Sequence, residues 1–558
     1  MSRFVDTLLD TAVYRGDVRG ITTGEPDAPR RRTWGEVHRQ ARRLAGGLAA
    51  AGLGRHDAVA VLAAEPATIA PAVQAVWLCG GSITMLHQPT PRTDLAAWAE
   101  DTVRVLSMIG SKLVLLGAPF EPLVPVLEQH GITHLLLAEL ADSPELAEVV
   151  TVDESAPALL QLTSGSTAEP KAVRITHGNL YANLTDMARM SALDVDSDIM
   201  VSWLPLFHDM GMVGFLTVPM TVGLELVKVT PVDFLSRPLL WAELISKYRG
   251  TITAAPNFAY ALLGRRLSGA EDAAYDLSSL RLALNGAEPI DEKAVLAFTE
   301  AGARFGMPAQ CVFPAYGMAE TTLAVSFAPL FTGLTLDHID ATQLEAHNRA
   351  VPIDPATAAP DEVRAFAVLG PPLPGLTARI VDDAGRPLAE REVGEIELRG
   401  EAVTPGYLTM DGPVSTQDED GWLATGDIGY LADGSIVICG RAKDVIILAG
   451  RNIYPTDIER AATQVDGVRA GNAVAVRIDA GSRRERFAVV LESARATDTD
   501  AVKLIRKQVG ARVFEAVNAR PTAVVVLPPG TLPKTPSGKL RRAAAGQQLA
   551  ARIAEQEG

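Results

Sequence analysis

TSGSTAEPK, at residues 163–171, follows the apolar run ALLQ at 158–161. Small hydroxyl residues and one glycine directly after a strand-like segment make a loop that offers backbone N–H groups and hydroxyls to phosphate oxygens. Lys171 adds a positive charge. The spacing is not Gly-x4-Gly-Lys-Ser/Thr, so the usual nucleotide P-loop is excluded. No Gly-x-Ser-x-Gly nucleophile elbow stands here either. Alone, such a loop is more often a plain turn, and its surroundings decide what it is.

Outward from the loop, strand-like and helical segments alternate. TWGEVHRQARRLAGGLAAAGLG at 33–54 reads as one amphipathic helix, with Thr33 and Glu36 forming a capping box and Gly52 and Gly54 marking its stop. AVAVLAA at 58–64, ITMLHQP at 83–89, LVLL at 113–116 and THLLL at 133–137 are strand-like, separated by helical stretches. Beyond the loop, 200–203, 225–229, 251–254 and 280–285 continue the series. This alternation predicts an α/β fold with a parallel sheet and helices on its faces. From 376 the pattern changes: LTARIVDDAGRPL, GEIELRG and SIVICGR are short strands joined by Ala-Gly and Asp-Gly turns. After Arg441 it changes again, with helices at 456–463 and 500–517 and strands at 473–477, 486–491 and 523–527. The expected organisation is a large N-terminal domain over 1–442, made of α/β subdomains plus a β-rich subdomain at about 371–442. A small mobile α+β C-terminal domain over 443–558 follows. The polar, Pro/Ala-rich region 341–364 is expected to be a surface insertion.

The 558 residues exceed one ordinary domain. A net charge of −16 argues against nucleic acid and anionic lipid as partners. Cys79, Cys311 and Cys439 follow no metal-ligand spacing and read as core residues of a reducing compartment. Asp6, Asp10 and Arg15 interrupt any signal-peptide core, and no apolar run is long enough to span a bilayer. A soluble cytoplasmic protein is expected.

Six further stretches carry polar residues in a definite order: WLPLFHDMGMVG (203–214), NGAEPI (285–290), FPAYGMAETT (313–322), GWLATGDIGYL (421–431), GRAKDVIILAGRNIYPTDIE (440–459) and PKTPSGKLRR (533–542). With the loop and Thr176-His177-Gly178-Asn179, they resemble the motifs of the adenylate-forming superfamily. That superfamily includes acyl-CoA synthetases, peptide-synthetase adenylation domains, luciferases and fatty acyl-AMP ligases. The resemblance runs from about residue 160 to residue 542.

It implies that ATP activates a carboxylic acid as an acyl-adenylate, with pyrophosphate leaving. Thr163, Ser164, Gly165, Ser166, Thr167 and Lys171 would then contact phosphate. Gly286, Ala287 and Glu288 would frame adenine, with Tyr316 stacking on it beside Gly317. Glu320 would be the Mg²⁺ ligand, a hard oxygen suited to that ion, and Thr321 a further phosphate contact. Asp427 would accept two hydroxyl hydrogen bonds from ribose, and Arg441 would reach ribose or phosphate. Lys443 falls at the family's hinge, and His208 is the chemical candidate on the wall of the acyl pocket, as gate or wall. Lys539 would bridge carboxylate and α-phosphate as charge builds in the transition state. The chain departs from the usual pattern at Ala168 and Ala172, where the family has glycine, and at Ala319, where many relatives have threonine.

Between Glu320 and Gly370 lie residues 321–369, 49 in all. Ordinary acyl-CoA synthetases resemble this chain less here than fatty acyl-AMP ligases do, whose insertion is thought to restrain the domain rotation that CoA requires. LFHDMG, AYGMAETTLAVSF and GRNIYPTDIE lean the same way. The resemblance therefore implies a fatty acid substrate and the phosphopantetheine thiol of an acyl carrier protein as acceptor, commonly on a polyketide or peptide synthase. The alternative is a long- or medium-chain fatty acyl-CoA synthetase. An amino-acid adenylation domain needs a pocket carboxylate that Asp209 cannot be assigned to; a luciferase-like oxidation of the adenylate is a further option. A non-enzymatic homologue would have lost Glu320, Asp427, Arg441 or Lys539, and all four are present. The acyl pocket is expected between 203–214 and 254–263.

Overall fold

The computed structural model describes residues 2–89, 94–163, 169–448, 451–479, 485–534, 540–547 and 549. Two eight-stranded sheets form its body. One runs in the order Ala324–Phe327, Val312–Gly317, Leu282–Asn285, Ile252–Ala255, Ile199–Ser202, Glu225–Lys228, Gly20–Thr23, Arg30–Thr33. Its inner strands are parallel, and its two edge strands pair antiparallel. The other runs Gly412–Ser415, Gly406–Thr409, Lys171–Thr176, Pro157–Thr163, Ser82–Met85, Ala58–Leu62, Ser111–Leu116, His134–Leu136. Every residue of Ala58–Leu62 is buried, as expected for a parallel strand covered on both faces. The helix Trp34–Ala50 opens with the Thr33–Glu36 capping box and packs Val37, Ala41, Leu44 and Leu48 inward. Phe4, Trp34, Trp77, Val201, Trp241 and Phe313 share one core, so both sheets and the N-terminal helix Arg3–Tyr14 are joined by a continuous apolar interior.

A four-stranded antiparallel sheet follows: Leu376–Val381, Gly394–Gly400, Leu423–Ala432 and Ser435–Arg441. Asp433 and Gly434, both at positive φ, close its last hairpin in the way an Asp-Gly pair favours. Within this stretch of sequence one segment goes elsewhere. Gly406–Thr409 pairs with Lys171–Thr176, Tyr407 opposite Val173, and so extends the second large sheet. The C-terminal residues build a three-stranded sheet, Ala473–Ile478, Arg486–Glu492 and Ala523–Leu527, covered by the helices Pro455–Thr463 and Thr499–Val517. Ile446, Ile458, Phe487, Val509 and Val513 form a core of their own.

Region 341–364 lies largely at the surface, as its polar composition suggests, and is anchored at both ends. Most of its residues are exposed, and Ala341, Leu344, Glu345 and Ala350 are buried. Its start is the helix Ala341–His347, with Ala341, Leu344 and Glu345 buried, and its end enters the strand Val363–Ala367, paired with Leu336–Asp340. Two of its charged residues, Glu345 and Arg364, are enclosed, and both are paired. Glu345 lies 3.0 Å from Arg364 and accepts from Arg451 Nε at 2.9 Å. Arg364 also reaches Asp457 at 3.2 Å and the Ala516 carbonyl at 2.9 Å. Asn452 Nδ2 donates to Asn348 Oδ1 at 2.9 Å. The segment is thus stitched to the C-terminal elements. All three cysteines are buried and free; burial pushes the Cys79 thiol up to about 12.

Candidate active site

A cavity of about 410 Å³ opens where both large sheets and the four-stranded sheet meet. Its mouth is polar: Thr163, Lys171, Tyr316, Glu320, Arg441 and Lys443 line it. Strand pairing explains their convergence. Lys171 starts the strand that Tyr407 pairs alongside. The Tyr407 hydroxyl donates to Glu320 Oε1 at 2.6 Å, and the Lys171 ammonium sits 3.9 Å from the centre of its ring. Burial lowers the pKa of Lys171; Glu320 opposes this, and Lys443 and Arg441 add to it. Such a lysine is a cation held among cations, a ready partner for anionic oxygens.

Behind the mouth, Asp427 is almost wholly buried. Arg441 Nε lies 2.7 Å from its Oδ1, and the Tyr316 hydroxyl donates to its Oδ2 at 2.6 Å. Burial pushes the Asp427 carboxyl up from its ordinary value, against the stabilisation that Arg441 and Tyr316 provide. Pinned by its hydroxyl, the Tyr316 ring lines the cavity in a fixed orientation. Gly286 lies so close to this strand that a Cβ would meet the Ala315 carbonyl at 2.9 Å, and Ala287 beside it takes φ +66°. Together they leave a slot for a flat group against the Tyr316 strand.

The wall opposite is the segment 203–214. It enters a π-helical turn over Met210–Thr217, in which Phe215 leaves helical geometry and the Thr217 hydroxyl donates to the Met212 carbonyl at 2.9 Å. Such turns recur where a helix must aim side chains at a site. Phe207, His208, Asp209, Met210 and Phe215 all line the cavity. His208 Nδ1 lies 2.6 Å from the Asp209 carboxylate. The Gln161 amide donates to the Phe207 carbonyl at 2.9 Å, tying this wall to the strand that precedes the phosphate loop. His87 packs edge-on against Phe207 with centroids 5.6 Å apart. Burial, then His208, lowers the pKa of His87.

Of the residues singled out in the sequence, Thr163, Lys171, His208, Gly286, Ala287, Tyr316, Gly317, Glu320, Arg441 and Lys443 line this one cavity. Asp427 stands directly behind it. Two do not line it. Thr321 is fully buried, and its hydroxyl donates back to the Met318 carbonyl at 3.0 Å, a local bond that short 3₁₀ turns offer a threonine. Glu288 accepts from Phe258 N at 3.3 Å, near the start of the helix Asn257–Ser268. The segment 254–263 is not among the lining residues either; Tyr260 in that helix is buried and packs on Trp241 and Phe298. Ser164, Gly165, Ser166, Thr167 and Lys539 lie outside the described residues. Tyr407, His87 and Gln161 are positions that the sequence reading missed. Tyr407 shows only as an aromatic in a strand-like run, and nothing local announces that it faces Glu320.

The mouth suits a nucleoside triphosphate. Thr163 Oγ1 is buried without a hydrogen-bond partner, at the end of the strand Pro157–Thr163. No group of three or more His, Cys, Asp or Glu among the described residues can cage a metal. A single carboxylate, Glu320, is what Mg²⁺ needs when phosphates and water supply its remaining oxygens.

A family model described as AMP-binding enzyme matches residues 10–408. The chain is 57% identical over 545 residues to Rv1013 of Mycobacterium tuberculosis, a protein provisionally named a ligase, covering 97% of this chain and 99% of that one. It is 35% identical over 399 residues to JamA of Moorena producens, a medium-chain-fatty-acid–acyl-carrier-protein ligase, covering 69% and 67%. A solved structure from a study of the fatty acyl-adenylate ligases of E. coli and L. pneumophila matches with a TM-score of 0.89 and 32% identity, over 100% of this chain and 99% of that one. The fold is that of the adenylate-forming enzymes. Among the described residues, no helix is long and apolar enough to cross a membrane.

Proposed function

This chain belongs to the AMP-binding enzyme family, and we propose that it uses ATP to activate a fatty acid as its acyl-adenylate and then passes the acyl group to the phosphopantetheine thiol of an acyl carrier protein. One observation carries the first half: a single cavity joins a cationic mouth to an apolar bore lined by Met187, Leu193, Met200, Ile252, Leu282 and Phe327. An anionic head and a hydrocarbon tail are the two ends of a fatty acid.

In the reaction, a carboxylate oxygen attacks the α-phosphorus, and the bond from that phosphorus to the departing pyrophosphate oxygen breaks. The protein positions the reactants and neutralises charge rather than bonding covalently. Thr163 and Lys171 meet phosphate oxygens, with Ser164, Gly165, Ser166 and Thr167 as the remainder of that loop. Adenine lies between Tyr316 and the Gly286–Ala287 slot. Asp427 and Arg441 take the ribose, one Asp427 oxygen exchanging its present partner for a ribose hydroxyl. Mg²⁺ held by Glu320 would offset charge on the phosphates. His208 and Phe207 close the mouth over the carboxylate, and Lys539 adds the cation that bridges carboxylate and α-phosphate.

In the second half the thiol sulfur bonds to the acyl carbon, the bond from that carbon to the phosphate oxygen breaks, and AMP leaves as the thiol proton is lost. This half rests on a division of the chain into 1–442 and 443–558, with Lys443 as pivot. The Glu345–Arg364–Arg451–Asp457 cluster supports a carrier-protein acceptor, since it ties the 341–364 segment to the C-terminal unit and opposes free rotation. JamA, an acyl-carrier-protein ligase by name, points the same way. Coenzyme A is the alternative acceptor.

The test is a reaction of the intact chain with ATP, Mg²⁺ and saturated fatty acids, in parallel with CoA and with a phosphopantetheinylated carrier protein. Acyl-adenylate that accumulates despite CoA and is consumed by the carrier protein is the expected result. Rapid acyl-CoA formation would overturn the acceptor assignment. Pyrophosphate release that survives in Lys539→Ala at the wild-type rate would overturn the adenylation chemistry.

A further inference from the structure

The apolar bore has a floor, and strand register shows how deep it lies. Leu282, Leu284 and Gly286 line the cavity from alternate positions of one strand and the turn after it, so they share a face. In the neighbouring strand Leu284 stands beside Phe313, and Gly286 abuts Ala315. One row lower, Ile252 is in register with both Leu282 and Met200. The bore therefore descends in three rows, from Gly286 and Ala315 through Leu284 and Phe313 to Met200, Ile252 and Leu282. Helix His177–Met190 faces these rows, and Met187, Ser191 and Leu193 line its lower end.

Directly below the lowest row the interior becomes ionic. Arg281, next to Leu282, donates from Nε to Asp198 Oδ1 at 2.8 Å. The same guanidinium donates to the carbonyls of Ser191 and Ala192, at 3.0 Å each. The Thr251 hydroxyl, next to Ile252, donates to Asp198 Oδ1 at 2.8 Å. Asp198 is only 1% exposed. The starts of three parallel strands and the end of the facing helix are thus tied by one fork, buried at Asp198 and partly exposed at Arg281. A hydrocarbon chain cannot pass it without parting the buried Asp198 carboxylate from its partners, which is costly. Ser191 adds no free polar group, since its hydroxyl donates to the Met187 carbonyl.

We infer that this floor, Met200, Ile252 and Leu282 over the Arg281–Asp198 fork, sets the length of the acyl chain that the protein accepts. The Gly286 row is shared with adenine, so it is the upper bound of the acyl bore; from Gly286 to Leu282 is four residues, which at ~3.3 Å per residue is about 13 Å. An extended chain advances about 1.25 Å per bond, so the bore holds a straight chain of about 10–11 carbons with its methyl end against Ile252 and Leu282. The substrate class is a straight medium-chain acid. Palmitate and longer acids are rejected. This inference rests on the fatty-acid activation proposed above.

Pyrophosphate release measured across straight-chain acids from octanoate to stearate tests both readings separately. Wild type should peak near decanoate and dodecanoate and fall by about tenfold or more at palmitate, the scale that a few misfitting methylenes impose. Ile252→Phe should move the peak to shorter acids, and Leu282→Ala should raise kcat/KM for longer ones relative to dodecanoate. A wild-type profile as high with stearate as with dodecanoate would overturn the floor while leaving activation standing. So would a peak that stays put in both variants while pyrophosphate release persists. No release with any acid would overturn activation itself, and this inference with it. If either variant fails to fold, as judged by its melting transition, the wild-type profile alone still decides.

Discussion

Tyr407 does at the scale of one residue what the motifs imply for the whole mouth of the site. Its hydroxyl holds one oxygen of Glu320, and its ring face holds the ammonium of Lys171. A carboxylate that takes a strong hydrogen bond on one oxygen presents the other in a fixed direction. Tyr407→Phe keeps the ring under Lys171 and removes only that bond. A hydrogen bond to a charged group is worth about 1.5–3 kcal/mol, so adenylate formation should drop by about 10–100-fold. The Mg²⁺ concentration for half-maximal pyrophosphate release should rise along with it. A Mg²⁺ titration that is unchanged in the variant would mean that Tyr407 does not orient Glu320. Asp427 was legible as a hydroxyl acceptor from its motif; that Tyr316 and Arg441 already share its oxygens was not, because both partners come from other segments.

At the scale of elements, the segment from Leu336 to Ala367 shows how charge changes the meaning of a polar stretch. Composition places it on the surface, where most of it lies, and its helix Ala341–His347 is also fastened there by Glu345 between Arg364 and Arg451. Removing one partner of a buried pair leaves the others short of a counter-charge and costs about 3–5 kcal/mol. Arg451 is partly exposed, so the lower end applies. Glu345→Ala should lower the melting temperature and, if the segment restrains the C-terminal unit, raise acyl-CoA formation by about tenfold or more, as each 1.4 kcal/mol shifts an equilibrium tenfold. A lower melting temperature with no gain in acyl-CoA would separate the latch from the choice of acceptor. The strand Gly406–Thr409 makes the same point for backbone: a β-hairpin pattern announces strands but not which sheet they join.

For the molecule as a whole, the N-terminal helix is docked through a buried histidine. Ser2 Oγ and His177 Nδ1 are 3.0 Å apart, and the Phe4 ring packs on the imidazole. Burial lowers the pKa of His177 to about 4, with Glu154 opposing and His56 adding to the shift. The unfolded chain takes up this proton near pH 6.5 and the folded chain only near 4. The stability tied to the neutral ring is therefore complete above pH 6.5 and is lost as pH falls toward 4, by about 3 kcal/mol. His177→Gln should remove that share of the acid dependence in denaturant unfolding followed from neutral pH to about pH 4.5; a variant as acid-sensitive as wild type would place the dependence elsewhere. What the sequence determined by itself is whatever neighbours along the chain decide. The capping box at Thr33–Glu36, the Asp433–Gly434 turn, the buried parallel strands and the ordered motifs that mark an adenylate-forming enzyme all belong here. Tertiary structure alone decided which motif residues meet. It turned Thr321 and Glu288 away from the cavity, brought Tyr407 to Glu320, and set a floor of Met200, Ile252 and Leu282 under the bore. The reason is physical. Capping, turns and periodicity are satisfied within a few residues, whereas these contacts depend on the register of strands that lie tens to hundreds of residues apart and on the packing that holds them there.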